Sequence, residues 1–289
     1  MKISAVIVSR NDNYGGHLNE RATYCFNSAI ETYDEVIYID WNSPTHSLLY
    51  DIKDNIKFKG NFKHIVIPPS AASNLTDGDP HAQKCCEVLA RNIGLRRATG
   101  DWLLSTNIDI IHPKRKELEN TLNSLDLNTF YTISRRHADW NMIREFHNGE
   151  IIFDQWESLR DHLINISEER HFDEKTGKGD DYSIINCCGD YQIASKNVWN
   201  SIRGFEEELI YPLYADTNVQ KKAVMHGFNL KAIFNPALFH IDHGKGGGGF
   251  LTGVNKKSND YYRAIPYQNK TENLENWGFS DIDIEYEVF

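Results

Sequence analysis

The feature that most constrains the fold is an alternation in the first half of the chain. Short runs rich in β-branched and aromatic residues recur: ISAVIVS (3–9), EVIYID (35–40), KHIVIP (63–68) and DWLLSTNID (101–109). Between them lie segments with helical apolar spacing. Residues 20–33 put Ala22, Phe26, Ala29 and Ile30 on one face, and 47–56 reads as a short helix. Residues 81–100 read as a helix stopped by Gly100, and 114–125 as one that follows Pro113. Strands and helices alternating at this spacing predict an α/β fold: an open, mostly parallel sheet with helices on both faces.

The second half is less periodic. FYTISRR (130–136) reads as a strand, residues 137–185 are polar and aromatic, and 189–205 reads as a strand entering a helix that stops at Gly204. Residues 214–228 form another predicted helix, 230–242 is strand-like, and GKGGGGF (244–250) reads as a flexible loop. No internal repeat or linker interrupts the chain. The expectation is a single domain over 1–289: a nucleotide-binding half to about 130, a substrate-binding half over about 131–250, and a tail over about 251–289.

Composition excludes some classes. The net charge of −10 argues against general nucleic-acid binding, which wants a basic surface. No apolar run approaches the roughly 20 residues of a membrane span, and the N-terminal apolar stretch is too short for a signal-peptide core. The five cysteines, Cys25, Cys85, Cys86, Cys187 and Cys188, lack zinc-ligand spacing and read as reduced and mostly buried. Together these point to a cytoplasmic protein, with peripheral attachment at the inner membrane surface left open.

In open α/β sheets ligands sit beyond the carboxyl ends of the strands. Ser9, Arg10, Asn11, Asp40, Asn107 and Asp109 all fall at or just after those ends. In LLSTNIDIIHP (103–113) a carboxamide and a carboxylate interrupt an apolar strand. Charge there is costly unless compensated, and a bound cation would compensate it.

Several stretches occur in one order: VIVSRND, EVIYIDWNSP, ARNIGLRRATGDWLLSTNIDI, GDYQIASKNVWNSIRGFEE, YADTNVQKKAVMHGF and FHIDH. Together, over roughly 1–245, they resemble nucleotide-sugar glycosyltransferases of the GT-A fold, especially those like glycosyltransferase family 2. The resemblance implies a nucleoside-diphosphate donor, by default a UDP-sugar, and a glycan or lipid-linked hydroxyl acceptor. It also implies a Mn²⁺ or Mg²⁺ cofactor and transfer with inversion by an aspartate base.

The resemblance places Ser9, Arg10 and Asn11 near the base and ribose, Asp40 on base or sugar hydroxyls, and Arg91 within reach of the donor. The family's Asp-x-Asp metal motif falls on Asn107-Ile108-Asp109, where Asn107 replaces the first carboxylate. Asp109 remains a hard oxygen ligand, and Asn107 can bind a ribose or a metal-bound water through its amide. Metal-independent transfer therefore stays open. Family members place a histidine after the last strand, so His240 or His243 would complete the metal site. Lys245, among Gly244 to Gly249, would approach the diphosphate. Asp216 is the implied base, which could also cap its helix, and Asp190 is the second acidic candidate. Trp140, Trp156, Tyr182 and Tyr191 could line an acceptor groove or belong to the core. A non-catalytic nucleotide-sugar- or glycan-binding homologue with a degenerate metal motif is the alternative. A nucleotidyltransferase is disfavoured, because SRNDNYGG has late glycines and no following lysine.

Overall fold

The computed structural model describes residues 1–80, 82–166, 189–211, 215–243 and 273–289. Parallel strands β1 (Ile3–Ser9), β2 (Glu35–Trp41), β3 (Phe62–Ile67) and β4 (Trp102–Thr106) alternate with α1 (Leu18–Thr32), α2 (Leu48–Ile52), α3 (Pro69–Leu75) and α4 (Glu87–Arg97). There follow β5 (Ile110–Ile111), α5 (Arg115–Leu122), β6 (Thr129–Ile133), β7 (Arg136–Ala138), α6 (Trp140–Phe146) and α7 (Trp156–Ile166). Beyond them lie β8 (Tyr191–Ser195), α8 (Lys196–Ile202), α9 (Ala215–Met225), β9 (Asn229–Ile233), β10 (Phe239–Ile241) and β11 (Glu287–Val288).

Among the described residues the large sheet has eight strands in the order β11-β3-β2-β1-β4-β8-β6-β9. It is mostly parallel, with β8 antiparallel to β4 and β6, and β11 antiparallel to β3. A smaller sheet, β5-β10-β7, stands beside it. One sheet thus takes strands from both halves of the sequence.

Strand alternation divides the core between the two faces. Ile3, Ala5 and Ile7 of β1 pack with Ala22, Cys25, Phe26 and Ala29 of α1 and Leu118 of α5. Val6 and Val8 pack with Val88, Leu89 and Ile93 of α4 and with Trp199 of α8. A third cluster, with Ile143, Trp156, Leu159 and Phe239, seals the small sheet under α6 and α7.

Several expected boundaries move. The strand predicted over 101–109 spans only Trp102–Thr106, and the Asn107 N–H that follows it donates to the Asp190 carbonyl at 3.3 Å. The helix predicted over 81–100 spans only Glu87–Arg97, and Gly100 is not its stop. Gly100 lies against β1, where a Cβ would come within 2.7 Å of the Ser4 nitrogen. The strand-like 230–242 is two strands in different sheets, separated at Pro236, which has no N–H for a ladder. α3, α6 and α7 were not legible as helices. The last residues pack back onto the domain: Trp277 is buried under Arg96, Arg97 binds the carbonyls of Gly278 and Phe279, and β11 extends the sheet edge.

Cys25 and Cys86 are buried, and these two and Cys85 are free thiols, as read from the sequence. Cys187, Cys188 and the loop 244–250 lie outside the described residues. No helix among those described is long and apolar enough to cross a membrane.

α4 approaches β1 through Gly94, where a Cβ would meet Val6 Cγ1 at 2.4 Å. Gly94→Ala should destabilise the protein by about 1–3 kcal/mol by overpacking, although alanine is the better helix former. Urea unfolding checks this, and an unchanged midpoint would refute the close contact.

Candidate functional site

Register brings the strand ends together. Ser9 pairs with Asp40 across β1 and β2, and Ile7 pairs with Thr106 across β1 and β4. With strands about 4.8 Å apart, Asp40 and the Asn107 turn stand roughly 10 Å from each other on one edge.

On the β2 side Asp40 is fully buried. Its Oδ2 accepts from Tyr38 Oη (2.9 Å), Ser47 Oγ (2.9 Å) and the Leu48 N–H (3.0 Å) at the start of α2. Its Oδ1 has no hydrogen-bond partner among the described residues. Ser9 Oγ reaches the same Tyr38 hydroxyl at 2.8 Å. Arg10 and Asn11 brace the loop after β2: Arg10 Nε donates to the Asn42 carbonyl (2.8 Å), and the Asn11 N–H donates to Ser43 Oγ (2.8 Å). These four residues lie together where β1 and β2 end.

At the end of β4, Asn107 sits between opposite charges. Its Oδ1 accepts from Arg91 at 2.6 Å, and its Nδ2 donates to Asp190 Oδ1 at 2.6 Å. Arg91 is also held by Ser105 Oγ (2.6 Å) and Glu87 (3.1 Å), and Asp190 is paired with Arg135. Only a group with both an acceptor and a donor fits between a guanidinium and a carboxylate. The asparagine in the acidic motif therefore matches its neighbours, because a second carboxylate would face that of Asp190.

Asp109 is buried at the centre of the edge. Its Oδ2 lies 3.2 Å from Arg21, 3.5 Å from His240 Nε2 and 3.1 Å from His243 Nε2. Burial alone would raise its pKa, but hydrogen bonds and charge from His240 and His243 outweigh it and hold the carboxyl well below the usual range. Arg21, buried on α1, also donates to the carbonyls of Gly16 and Tyr14 and so ties the loop after β1 to Asp109. Burial pulls the Arg21 pKa down, and Asp109 opposes that.

Asp109, His240 and His243 fit a divalent cation. Their ligand atoms lie within 4.8 Å of one another, and Asp109 Oδ1 is buried with no hydrogen-bond partner among the described residues. A carboxylate with two imidazoles suits Mn²⁺ better than Mg²⁺. Both histidines reach Asp109, so the sequence alternatives converge on one cluster.

Asp216 lies in the first turn of α9 rather than at its cap. Its carboxylate accepts from the N–H of Thr217 (2.8 Å) and of Gly189 (3.1 Å). Burial pushes its pKa up, and those two N–H groups only partly offset this. Gly189 touches it so closely that a Cβ there would lie 2.1 Å from Asp216 Cβ. Gly189 adjoins Asp190, Asp190 holds Asn107, and Asn107 lies two residues before Asp109, so hydrogen bonds and chain join Asp216 to Asp109.

Of the four aromatics, Trp156 and Tyr191 are core: Tyr191 is fully buried with its hydroxyl 3.0 Å from that of Tyr33. Trp140 is half-buried against His17, with ring centroids 4.9 Å apart. Lys245 and Tyr182 lie outside the described residues. Sequence reasoning missed Arg21, Arg135 and His137. Arg21 alone carried a signal, a charge set directly beside the apolar face of α1.

The eight-stranded α/β sheet and the small sheet beside it make a fold of the GT-A type. Solved structures agree. The chain is similar to TarS 1–349 of S. aureus, with 17% identity and a TM-score of 0.50 over 83% of this chain and 60% of that one. It is also similar to TarS 1–349 in complex with UDP-GlcNAc, with 16% identity and a TM-score of 0.52 over 92% of this chain and 65% of that one. The chain thus spans less than two thirds of those chains. No family model matches it, and no curated protein sequence matches it closely.

Asn107→Asp should cost about 1–3 kcal/mol of stability at pH 8 by setting two acceptors face to face. Urea unfolding at that pH checks this, and an unchanged midpoint would refute the role of the Asn107 amide between Arg91 and Asp190.

Proposed function

We propose that this chain is a glycosyltransferase that moves a sugar from a nucleoside-diphosphate donor, of the UDP class, to a hydroxyl of a glycan or lipid-linked acceptor. The observation that carries the reading is the continuity of one edge. The Asp109–His240–His243 cluster leads through Asn107, Asp190 and Gly189 to the raised-pKa carboxylate of Asp216. The UDP-GlcNAc complex of the similar TarS supports the choice of donor class.

Asp109, His240 and His243 would hold Mn²⁺ or Mg²⁺, which when bound neutralises charge building on the departing diphosphate. Ser9, Arg10, Asn11 and Asp40 shape the nucleoside end of the cleft, and Lys245 is assigned to the diphosphate on the resemblance alone. Arg91 and Asn107 hold Asp190 in place towards the sugar hydroxyls. The acceptor oxygen attacks the anomeric carbon as the bond to the diphosphate breaks, and Asp216 takes the acceptor's proton. Attack opposite the leaving group gives inversion. A pKa raised by burial makes Asp216 a stronger base than an exposed aspartate.

Incubation with nucleotide sugars, Mn²⁺ and acceptor glycans should release nucleoside diphosphate. Asp216→Asn should lower kcat by about 10²–10⁴-fold and leave donor binding intact. Asp216 must be ionised to act, so kcat should fall as pH drops through its raised pKa, above the ordinary aspartate range. Asn107 also favours a second reading, a non-catalytic binding homologue. Calorimetric donor binding with no turnover for any donor would establish that reading in place of the first.

A further inference from the structure

His240 faces two ways. Its Nε2 points into the cation cluster, 3.5 Å from Asp109 Oδ2. Its Nδ1 lies 3.4 Å from Asp242 Oδ1, and that same oxygen is 2.6 Å from His137 Nδ1. The backbone builds this arrangement. β10 and β7 run parallel with His240 opposite His137, ring centroids 5.6 Å apart. The Asp242 N–H donates to the Ala138 carbonyl at 2.9 Å, which fixes the carboxylate at the end of the same ladder.

A neutral imidazole has one N–H and one lone pair. For His240 to ligate a cation beside Asp109, the lone pair must be on Nε2 and the proton on Nδ1. A carboxylate facing Nδ1 favours that tautomer and fixes the ring plane. We infer that Asp242, held in turn by His137, is a positioning residue that presents the Nε2 lone pair of His240 to a divalent cation shared with Asp109 and His243. The inference rests on the cation reading of the proposed function. His137, His240 and Asp242 also bring ligand atoms within 4.8 Å of one another. A cation in that outer group would need the opposite tautomer, with Nδ1 as ligand and Nε2–H donating to Asp109. The two arrangements exclude each other at His240, so variants can separate them.

The experiment is Mn²⁺ titration of the full chain, followed by electron paramagnetic resonance, with no donor or acceptor present. Asp109→Asn and His243→Ala should abolish binding. Asp242→Ala should weaken it about 10–100-fold and reduce the ¹⁴N couplings from two imidazoles towards one, while Asp242→Glu restores most of the affinity. His137→Leu should weaken binding in the same direction by less, and it serves if Asp242→Ala does not fold. Unchanged affinity and couplings in both Asp242→Ala and His137→Leu would overturn the inference. So would abolition by Asp242→Ala with retention by Asp109→Asn, which places the ion in the outer group. If the unmodified chain binds no Mn²⁺, the cation reading itself falls, and the positioning role falls with it.

Discussion

A buried carboxylate, that of Asp109, is the constraint around which this edge of the molecule is arranged. An ionised carboxyl removed from water is stable only when opposite charge and hydrogen-bond donors surround it. Here the donors come from elements remote in sequence: Arg21 on α1, and His240 and His243 at the end of β10. Satisfying one charge therefore fixes the large sheet, the small sheet and the loop after β1 relative to one another. The carbonyls of Gly16 and Tyr14 also accept from Arg21, so the loop after β1 is tied to Asp109 through a single side chain.

A row of charged and polar side chains runs beside it. Glu87, Arg91, Asn107, Asp190 and Arg135 alternate in polarity, with the neutral amide where two carboxylates would otherwise meet. In the sequence, Asn107 reads as damage to a metal motif. In the fold it is the one residue in that row that can accept from a guanidinium and donate to a carboxylate at once. Electrostatics thus accounts for a departure that motif matching alone treats as a loss.

The central strands were legible because β1, β2 and β4 are buried on both faces and read as near-continuous apolar runs. Their carboxyl ends were legible for the same reason, since polar residues stand out where such runs stop. The region of α6 and α7 was not, because its helices bury only a narrow stripe, around Ile143, Leu159 and Leu163. The three-residue strands β7 and β10 are too short for alternation to show. Gly100 illustrates the same limit: it looks like a helix stop and is instead a close contact with Ser4.

The sequence by itself determined the α/β class, the parallel centre of the sheet and the list of polar residues that could meet at its edge, because strand burial and helix periodicity are local properties of neighbouring residues. Only the tertiary structure decided which of them meet. It put both histidines on Asp109, gave that carboxylate to Arg21 as well, sent Trp156 and Tyr191 into the core, and set Asp216 against Gly189. Those pairings depend on strand order and register, and a side chain's partners across a sheet are chosen by the packing of elements tens of residues apart.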